Sequence, residues 1–134
     1  FAPLAHDLRA AGLAGTVHFI GPRQDLTEPF AMFDAFALTS REDALPLVCL
    51  EAARAGRPVL AFDNTCLGEV FGPDEGVFVP FLDLDAMAAQ IAAWAADPAV
   101  ARAMGARAQR RVLEGFDVAV GAPRWWAELE ALLP

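Results

Sequence analysis

Apolar positions along the chain follow two different periods, and these periods predict its helices and strands. Spacings of three and four residues predict amphipathic helices, whereas short apolar runs bounded by Gly or Pro predict strands. The predicted helices are Phe1 to Gly12, Asp25 to Phe33, Pro46 to Ala55, Leu84 to Ala96, Ala99 to Glu114 and a last one that carries Trp125, Trp126, Leu129, Leu132 and Leu133. The predicted strands are Thr16 to Ile20, Phe36 to Leu38, Pro58 to Phe62 and Val77 to Pro80.

This order of elements predicts an α/β fold, with an open parallel sheet and helices on both of its faces. We expect one domain that covers residues 1–134. Ligands bind such sheets at the carboxyl ends of the strands. The loop from Thr39 to Val48 lies at such an end, so we expect the functional site there.

Residues at the helix ends and on the helix faces support these elements. We expect Thr27 to cap the second helix, with Pro29 in its first turn, and Asp83 to cap the helix that starts at Leu84. Pro46 is expected at the first position of the third helix, where the missing N–H of proline costs little. The apolar sides of the two later helices are predicted to consist of Leu84, Met87, Ile91, Trp94, Val100, Met104 and Val112.

The charge pattern excludes one class of partner. The 134 residues carry 18 acidic and 10 basic side chains, a net charge of −8, and every basic side chain is Arg. Nucleic-acid binding requires clustered positive charge, so we exclude it. The one basic concentration, Arg107, Arg110 and Arg111, is interpreted as a solvated helix face; the alternative is peripheral contact with anionic lipid at the inner membrane surface.

Cysteine and histidine usage predicts no metal centre. Cys49 and Cys66 form no CxxC pair and have no His near them in the sequence, so we expect two free thiols with Cys49 in the core. His18 is interpreted as a strand residue and not as a metal ligand. The chain shows no apolar run long enough to span a membrane and no secretory leader, and we therefore expect a cytoplasmic protein.

The segment from Phe36 to Phe62 is a β-α-β unit with candidate binding groups at the start of its helix. The amides of Leu47 and Val48 face the lip of the sheet, where helix N-termini bind phosphates. Glu51 lies about one turn further in, and its carboxylate can accept two hydrogen bonds from a vicinal diol. The alternative is that Asp43 only caps the helix and that Glu51 is a solvated helix residue.

A longer motif surrounds these residues and resembles a known signature. The motif is Ser40-Arg41-Glu42-Asp43-Ala44-Leu45-Pro46-Leu47-Val48-Cys49-Leu50-Glu51-Ala52, followed by Ala55-Gly56-Arg57-Pro58-Val59. It resembles the donor-binding signature of retaining GT-B glycosyltransferases of the group 1 type, which has two acidic residues separated by seven. Asp43 and Glu51 match that pair. The resemblance implies the Rossmann-like C-terminal half of a two-domain enzyme, with the N-terminal acceptor domain as the missing partner.

The resemblance also implies roles for individual residues. It places Asp43 beside the transferred sugar as the catalytic position, with Glu42 as a rival one residue out of register. The substrate-binding positions that it implies are Gly21 and Arg23 for the base, Glu51 for the ribose, and Glu42, Leu45, Pro46, Leu47 and Val48 for the diphosphate and sugar. The donor is a nucleotide diphosphate sugar, and no cofactor or metal is implied, because helix N–H groups and basic residues offset the charge of the leaving diphosphate.

One departure from the signature leaves alternatives open. Thr65 and Cys66 stand where the resembling enzymes have two glycines, and we expect their side chains to stiffen that loop. A non-catalytic nucleotide-sugar-binding module is therefore one alternative. A flavodoxin-like or receiver-like interaction domain, with Asp34 or Asp63 as phosphoacceptor, is the other. The chain by itself is not expected to catalyse transfer.

Overall fold

The computed structural model describes residues 2–133, which form helices and three strands. The helices are α1 (Ala2–Ala10), α2 (Thr27–Met32), α3 (Leu47–Arg54), α4 (Leu67–Val70), α5 (Leu84–Ala96), α6 (Pro98–Gly115) and α7 (Val118–Ala131). The strands are β1 (Phe36–Leu38), β2 (Val59–Phe62) and β3 (Gly76–Val79). The first helix was predicted from Phe1, a position that lies outside the described residues.

The three strands form a parallel sheet in the order β1-β2-β3. Phe36 pairs with Val59, and Val59 pairs in turn with Gly76. All four residues of the central strand, β2, are buried, as expected for a parallel strand covered on both faces. Each parallel connection crosses through a helix, α3 in the first case and α4 in the second, which confirms the predicted α/β architecture.

The core lies in two layers on opposite faces of the sheet. Successive residues of a strand point to opposite faces, so Val59 and Ala61 pack on one side and Leu60 and Phe62 on the other. On the first side they meet α3 through Cys49, Ala52 and Ala53. On the second side they meet α5 through Met87 and Trp94. The prediction of helices on both faces is therefore confirmed.

A contact between two glycines lets α6 approach the end of α3. Gly56 follows α3 with a φ of +75°, which ends the helix in the left-handed conformation that glycine favours. A Cβ atom on Gly105 would lie 2.2 Å from the carbonyl oxygen of Gly56. Gln109, one turn further along α6, donates from Nε2 to the carbonyl of Arg54 at 2.8 Å. The path of α3 is thus fixed by the sheet on one side and by α6 on the other.

The strand predicted at Thr16 to Ile20 is wrong. This segment is neither helix nor strand, and Val17 and Ile20 are 41% and 49% exposed. A strand is stable only when a neighbouring strand pairs with its backbone groups. The described sheet consists of β1, β2 and β3, and the strand-like sequence at 16–20 does not join it.

Several helix and strand ends differ from their predictions by one or two residues. Thr27 does not cap α2; its amide instead donates to Oδ1 of Asp25 at 2.8 Å. Pro46 is the N-cap of α3 and not its first residue, because its ψ of 102° is extended. The predicted cap at Asp83 is confirmed, since its Oδ1 accepts from the amide of Ala86 at 2.9 Å. The last strand begins and ends one residue earlier than predicted, at Gly76 and Val79.

Three residues predicted on the buried sides of α5 and α6 are exposed. Met87, Trp94, Met104 and Val112 are buried as predicted, but Leu84, Ile91 and Val100 are 64%, 49% and 51% exposed. For Leu84 and Ile91 the reason is that α5 is apolar on most of its circumference, as its sequence LDAMAAQIAAWAA shows. Only the strip that faces the sheet is buried, and helical spacing alone does not identify which strip that is.

Two of the three clustered arginines bind backbone carbonyls, in addition to lying on the predicted helix face. Arg107 donates from Nε to the carbonyl of Asp74 at 2.7 Å. Arg111 donates from Nε to the carbonyl of Val70 at 2.8 Å, and its guanidinium lies 5.7 Å from the centre of the Phe116 ring. These side chains thus bind the last residue of α4 and the turn before β3. Arg110 and Arg111 are exposed, as predicted, and Arg107 is half-buried.

Helices α1 and α7 contribute no buried residue. Asp117 caps α7 by accepting from the amide of Ala119 at 2.9 Å. Along α7, Trp125 and Trp126 are 72% and 62% exposed. Within residues 2–133 we find no helix with the length and apolar character that crossing a membrane would require.

We predict that Gly105→Ala destabilises the fold. The added Cβ would overlap the carbonyl of Gly56, so α6 must move away from α3 at a cost of about 1–3 kcal/mol. Gly115→Ala is the matched control, because it lies in the same helix and its added methyl group would have no other atom within 4 Å. Urea denaturation of the two variants and the parent chain measures the difference. Equal midpoints for the two variants would contradict the packing argument.

Candidate functional site

The start of α3 offers two unused backbone donors at the carboxyl end of β1. Pro46 supplies the first helical acceptor, because the amide of Cys49 donates to its carbonyl at 2.9 Å. No side chain caps the helix, and within residues 2–133 the amides of Leu47 and Val48 have no hydrogen-bond acceptor. Free N–H groups and the positive end of the helix dipole together form a site for anions. The structure thus leaves available the donors that the sequence predicted.

Glu51 lies on the exposed side of α3 and lines a cleft beside the helix. It is four residues beyond Leu47, which places it about 6 Å further along the helix axis. The cleft has a volume of about 390 Å³ and is lined by Gln24, Asp25, Leu26, Thr27, Phe30, Glu51, Arg54 and Ala55. The carboxylate therefore faces solvent and the cleft, and not the core.

Arg54 is a cleft residue that the sequence reasoning missed. It lies three residues after Glu51, on the same face of α3, and this spacing was the available signal. Its guanidinium donates to Oδ2 of Asp117, the residue that caps α7. Hydrogen bonds from the amide of Ala119 and from Arg54 hold the pKa of Asp117 below its ordinary value. The arginine charge in the cleft is thus already shared with a carboxylate.

The opposite wall of the cleft comes from the segment before α2. Asp25 accepts from the side chain and amide of Thr27, and these hydrogen bonds lower its pKa. Gly21, with a φ of +71°, and Arg23 are exposed, but they do not line the cleft. The structure therefore brings residues 24–27 and Phe30 beside Glu51, whereas the two residues predicted from this segment lie just before them.

The two acidic residues before α3 are exposed. Within the described part of the chain, neither Glu42 nor Asp43 makes a hydrogen bond or an ion pair. Leu45 is exposed as well, whereas Pro46 is buried. The loop after β2 contacts this segment, since the amide of Cys66 donates to the carbonyl of Ala44 at 2.8 Å. The carboxylates are thus free to meet a ligand at the start of α3.

The two cysteines lie in different environments. Cys49 is fully buried in α3, and burial together with the nearby Asp43 charge raises its pKa to about 12. Cys66 is exposed on the loop next to the start of α3. Both are free thiols. Across residues 2–133, no three His, Cys, Asp or Glu side chains come together in a group that would hold a metal ion.

Comparison with known protein families places this arrangement in context. A family model described as "Glycosyl transferases group 1" matches residues 2–111. An exopolysaccharide phosphotransferase of Streptomyces coelicolor is 34% identical over 109 residues, which are 75% of this chain and 11% of that protein. The lipopolysaccharide core biosynthesis mannosyltransferase LpcC of Rhizobium leguminosarum bv. viciae is 32% identical over 114 residues, which are 84% of this chain and 32% of that protein. The chain thus spans no more than a third of either relative.

Solved structures share the fold over nearly the whole chain. Sucrose-phosphate synthase from Thermosynechococcus elongatus superposes with a TM-score of 0.86 and 27% identity over 98% of this chain and 35% of its own. HepE of Anabaena, in complex with UDP, superposes with a TM-score of 0.92 and 24% identity over 98% of this chain and 36% of its own. The second likeness, at this identity, establishes the fold alone.

We predict that a thiol reagent modifies one cysteine in the folded protein at pH 8. Cys66 is exposed, whereas the raised pKa of Cys49 keeps that buried thiol protonated. The protonated state of Cys49 is present below pH 9 and is lost only as the pH rises towards 12. Counting modified thiols should give one in buffer and two in denaturant, and Cys66→Ser should give none in buffer. Equal reaction of both cysteines in the folded chain would contradict this assignment.

Proposed function

The chain belongs to the glycosyl transferases group 1 family, and from this membership we propose that it binds the donor substrate of a glycosyltransferase. The proposed reaction moves a sugar from a nucleotide diphosphate sugar to an acceptor, with retention of configuration. The observation that carries the proposal is the uncapped start of α3, with Glu51 about one turn further along. The chain spans part of its relatives, so the reaction is proposed for a longer protein that contains it.

The diphosphate of the donor is proposed to bind at the start of α3. The amides of Leu47 and Val48 donate to its oxygens, and the helix dipole adds favourable charge. Pro46 and Leu45 form the adjoining backbone. This arrangement stabilises the charge that develops on the leaving diphosphate, which is the main requirement for breaking the bond to the sugar.

The nucleoside is proposed to lie along α3. Glu51 accepts two hydrogen bonds from the vicinal hydroxyls of the ribose, because an ionised carboxylate has only acceptor positions. The cleft beside Glu51, with Phe30 and residues 24–27 on its far side, has room for this part of the ligand. Gly21 and Arg23, just before the cleft, are proposed to contact the base through their backbone.

Asp43 is proposed as the catalytic residue. It follows β1 and precedes α3, and its unpaired, exposed carboxylate can fix the hydroxyls of the transferred sugar. Glu42 is the neighbouring carboxylate for the same role. The resemblance to retaining enzymes implies reaction on one face of the sugar, assisted by the leaving phosphate, and we identify no protein nucleophile among the described residues.

A nucleotide-sugar-binding module without activity is the second candidate, and the loop after β2 is the observation that favours it. Thr65 is half-buried there, and its hydroxyl accepts from the amide of Leu67 at 3.3 Å. The side chains of Thr65 and Cys66 are expected to take up space next to the sugar that two glycines would leave open. Both candidates use the same helix start and the same Glu51, and they differ only in turnover. For either, we propose a cytoplasmic location, which the two free thiols support.

We predict that this chain binds one of UDP, GDP and ADP, and that Glu51→Ala weakens binding about 10- to 100-fold. The lost hydrogen bonds to a charged acceptor correspond to roughly 1.5–3 kcal/mol. Glu114→Ala is the control, because it removes the same charge from α6, outside the cleft. Isothermal titration calorimetry measures the nucleotide affinity of the parent chain and of both variants. No binding of any of these nucleotides, or equal loss in both variants, would refute the proposed site.

In the longer protein, we predict that Asp43→Asn lowers the turnover number by a factor on the order of 100 while donor affinity stays within about threefold. The amide keeps the size of the side chain but removes the charge and one acceptor that orient the sugar. Turnover is measured as release of the free nucleotide in the presence of acceptor. Glu42→Gln tests the neighbouring carboxylate in the same assay. If only Glu42→Gln reduces turnover, the catalytic residue is Glu42 and the assignment to Asp43 is wrong.

A further inference from the structure

One side chain connects the loop after β2 to the loop before α3. Asn64 donates from Nδ2 to the carbonyl oxygen of Arg41 at 2.7 Å. Two residues later, the amide of Cys66 donates to the carbonyl of Ala44 at 2.8 Å. The two acceptors lie on either side of the pair Glu42 and Asp43. The loop after β2 therefore holds this acidic dipeptide at both of its ends.

The position of the acidic pair depends on these two bonds. Glu42 and Asp43 make no hydrogen bond or ion pair of their own among residues 2–133. One of the two bonds comes from the backbone of Cys66, and the other comes from the side chain of Asn64. Asn64 is thus the side chain through which the geometry of the acidic pair is set.

In the part of the chain that the structure describes, only one of the two polar atoms of the Asn64 amide has a hydrogen-bond partner. A carbonyl oxygen only accepts hydrogen bonds, so the nitrogen of the Asn64 amide must face Arg41. Its Oδ1 is buried and has no hydrogen-bond partner within the described residues. Burying an unpaired oxygen is unfavourable, and an apolar side chain of similar size would avoid it. The bond from Nδ2 to Arg41 is therefore the favourable contact that distinguishes an asparagine from an apolar side chain here.

We propose that Asn64 is a positioning residue that holds Glu42 and Asp43 in place to recognise the sugar of the donor, an inference that rests on the proposed function. Binding of the nucleotide part of the ligand does not depend on Asn64. Glu51 and the free amides belong to α3, which is anchored in the core by Cys49, Ala52 and Ala53. Loss of the Asn64 bond is thus expected to weaken recognition of the sugar and to leave recognition of the nucleotide intact.

The first test compares affinities for a nucleotide and for its hexose conjugate. The double variant Asp63→Asn/Asn64→Asp removes the donor to Arg41 without changing net charge, and Asp63→Asn alone is the control. We expect the affinity for the conjugate relative to the nucleotide to fall about 10-fold in the double variant, with nucleotide affinity within about twofold of the parent. The control should keep both affinities within about twofold. UDP and UDP-glucose are the first probes, followed by the GDP and ADP pairs.

The second test needs no ligand. In the free protein, hydrogen exchange followed by NMR should show the amide of Cys66 exchanging about 10-fold faster or more in the double variant, because its acceptor loop has lost one of two attachments. Amides inside α3 should exchange at the parent rate. Asn64→Leu removes both the donor and the unpaired oxygen, and is expected to fold and to give the same two results. It keeps the test decisive if the double variant does not fold.

The outcomes separate this inference from the proposed function. Normal nucleotide binding with an unchanged preference for the conjugate overturns the role of Asn64 only. Equal loss of affinity for nucleotide and conjugate also overturns it, because a general structural defect produces that result. Unchanged exchange at Cys66 shows that Asn64 does not hold the loop, and overturns it without any ligand. A chain that binds no nucleotide overturns the proposed function and, with it, the role of Asn64.

Discussion

The structure depends on the burial of α3 between the sheet and α6. On one side, Cys49, Ala52 and Ala53 pack against the central strand; on the other, Gly105 brings α6 against the end of α3 at Gly56. Small side chains on the contact faces allow this close approach. Because α3 is packed on both sides, its position relative to the strands is held by these contacts. An anion site built from backbone amides needs such rigidity, since amides do not adjust as side chains do.

The same arrangement accounts for the proposed binding of an anionic ligand by a protein with a net charge of −8. The long-range field of the protein is unfavourable for a diphosphate, so binding must come from groups in direct contact with it. Amides at a helix start bind the ligand at hydrogen-bond distance. They carry no formal charge, so a neighbouring acidic side chain cannot neutralise them. Arg54, by contrast, is already paired with Asp117. The local donors at Leu47 and Val48 are therefore the groups on which the proposed diphosphate site depends.

The sequence predicted those parts of the fold whose causes are local. The limits of α5 follow from its cap at Asp83 and from the Asp-Pro pair that ends it, and the β-α-β unit follows from its apolar runs and its glycine.

The segment Thr16 to Ile20 has the pattern of a strand, but a strand also requires a partner that is distant in sequence, and pattern carries no information on that partner. The contacts of Arg107 and Arg111 escaped prediction for the same reason. Each binds a carbonyl more than thirty residues away. The candidate site divides along the same line. The unused amides, Glu51 and Arg54 lie on one helix, whereas Asn64 reaches the loop before α3 through a tertiary contact that only the structure reveals.

The loop after β2 shows the difference between a local rule and its tertiary outcome. Replacing two glycines by Thr65 and Cys66 was expected to stiffen this loop, because side chains exclude positive φ. Among the described residues, Leu82 is the one non-glycine residue with a positive φ, so neither Thr65 nor Cys66 is strained. The loop follows a path that ordinary residues can adopt, and the bonds from Asn64 and Cys66 attach it to the segment before α3. These hydrogen bonds thus fix the loop after β2 next to Glu42 and Asp43, the residues of the proposed sugar site.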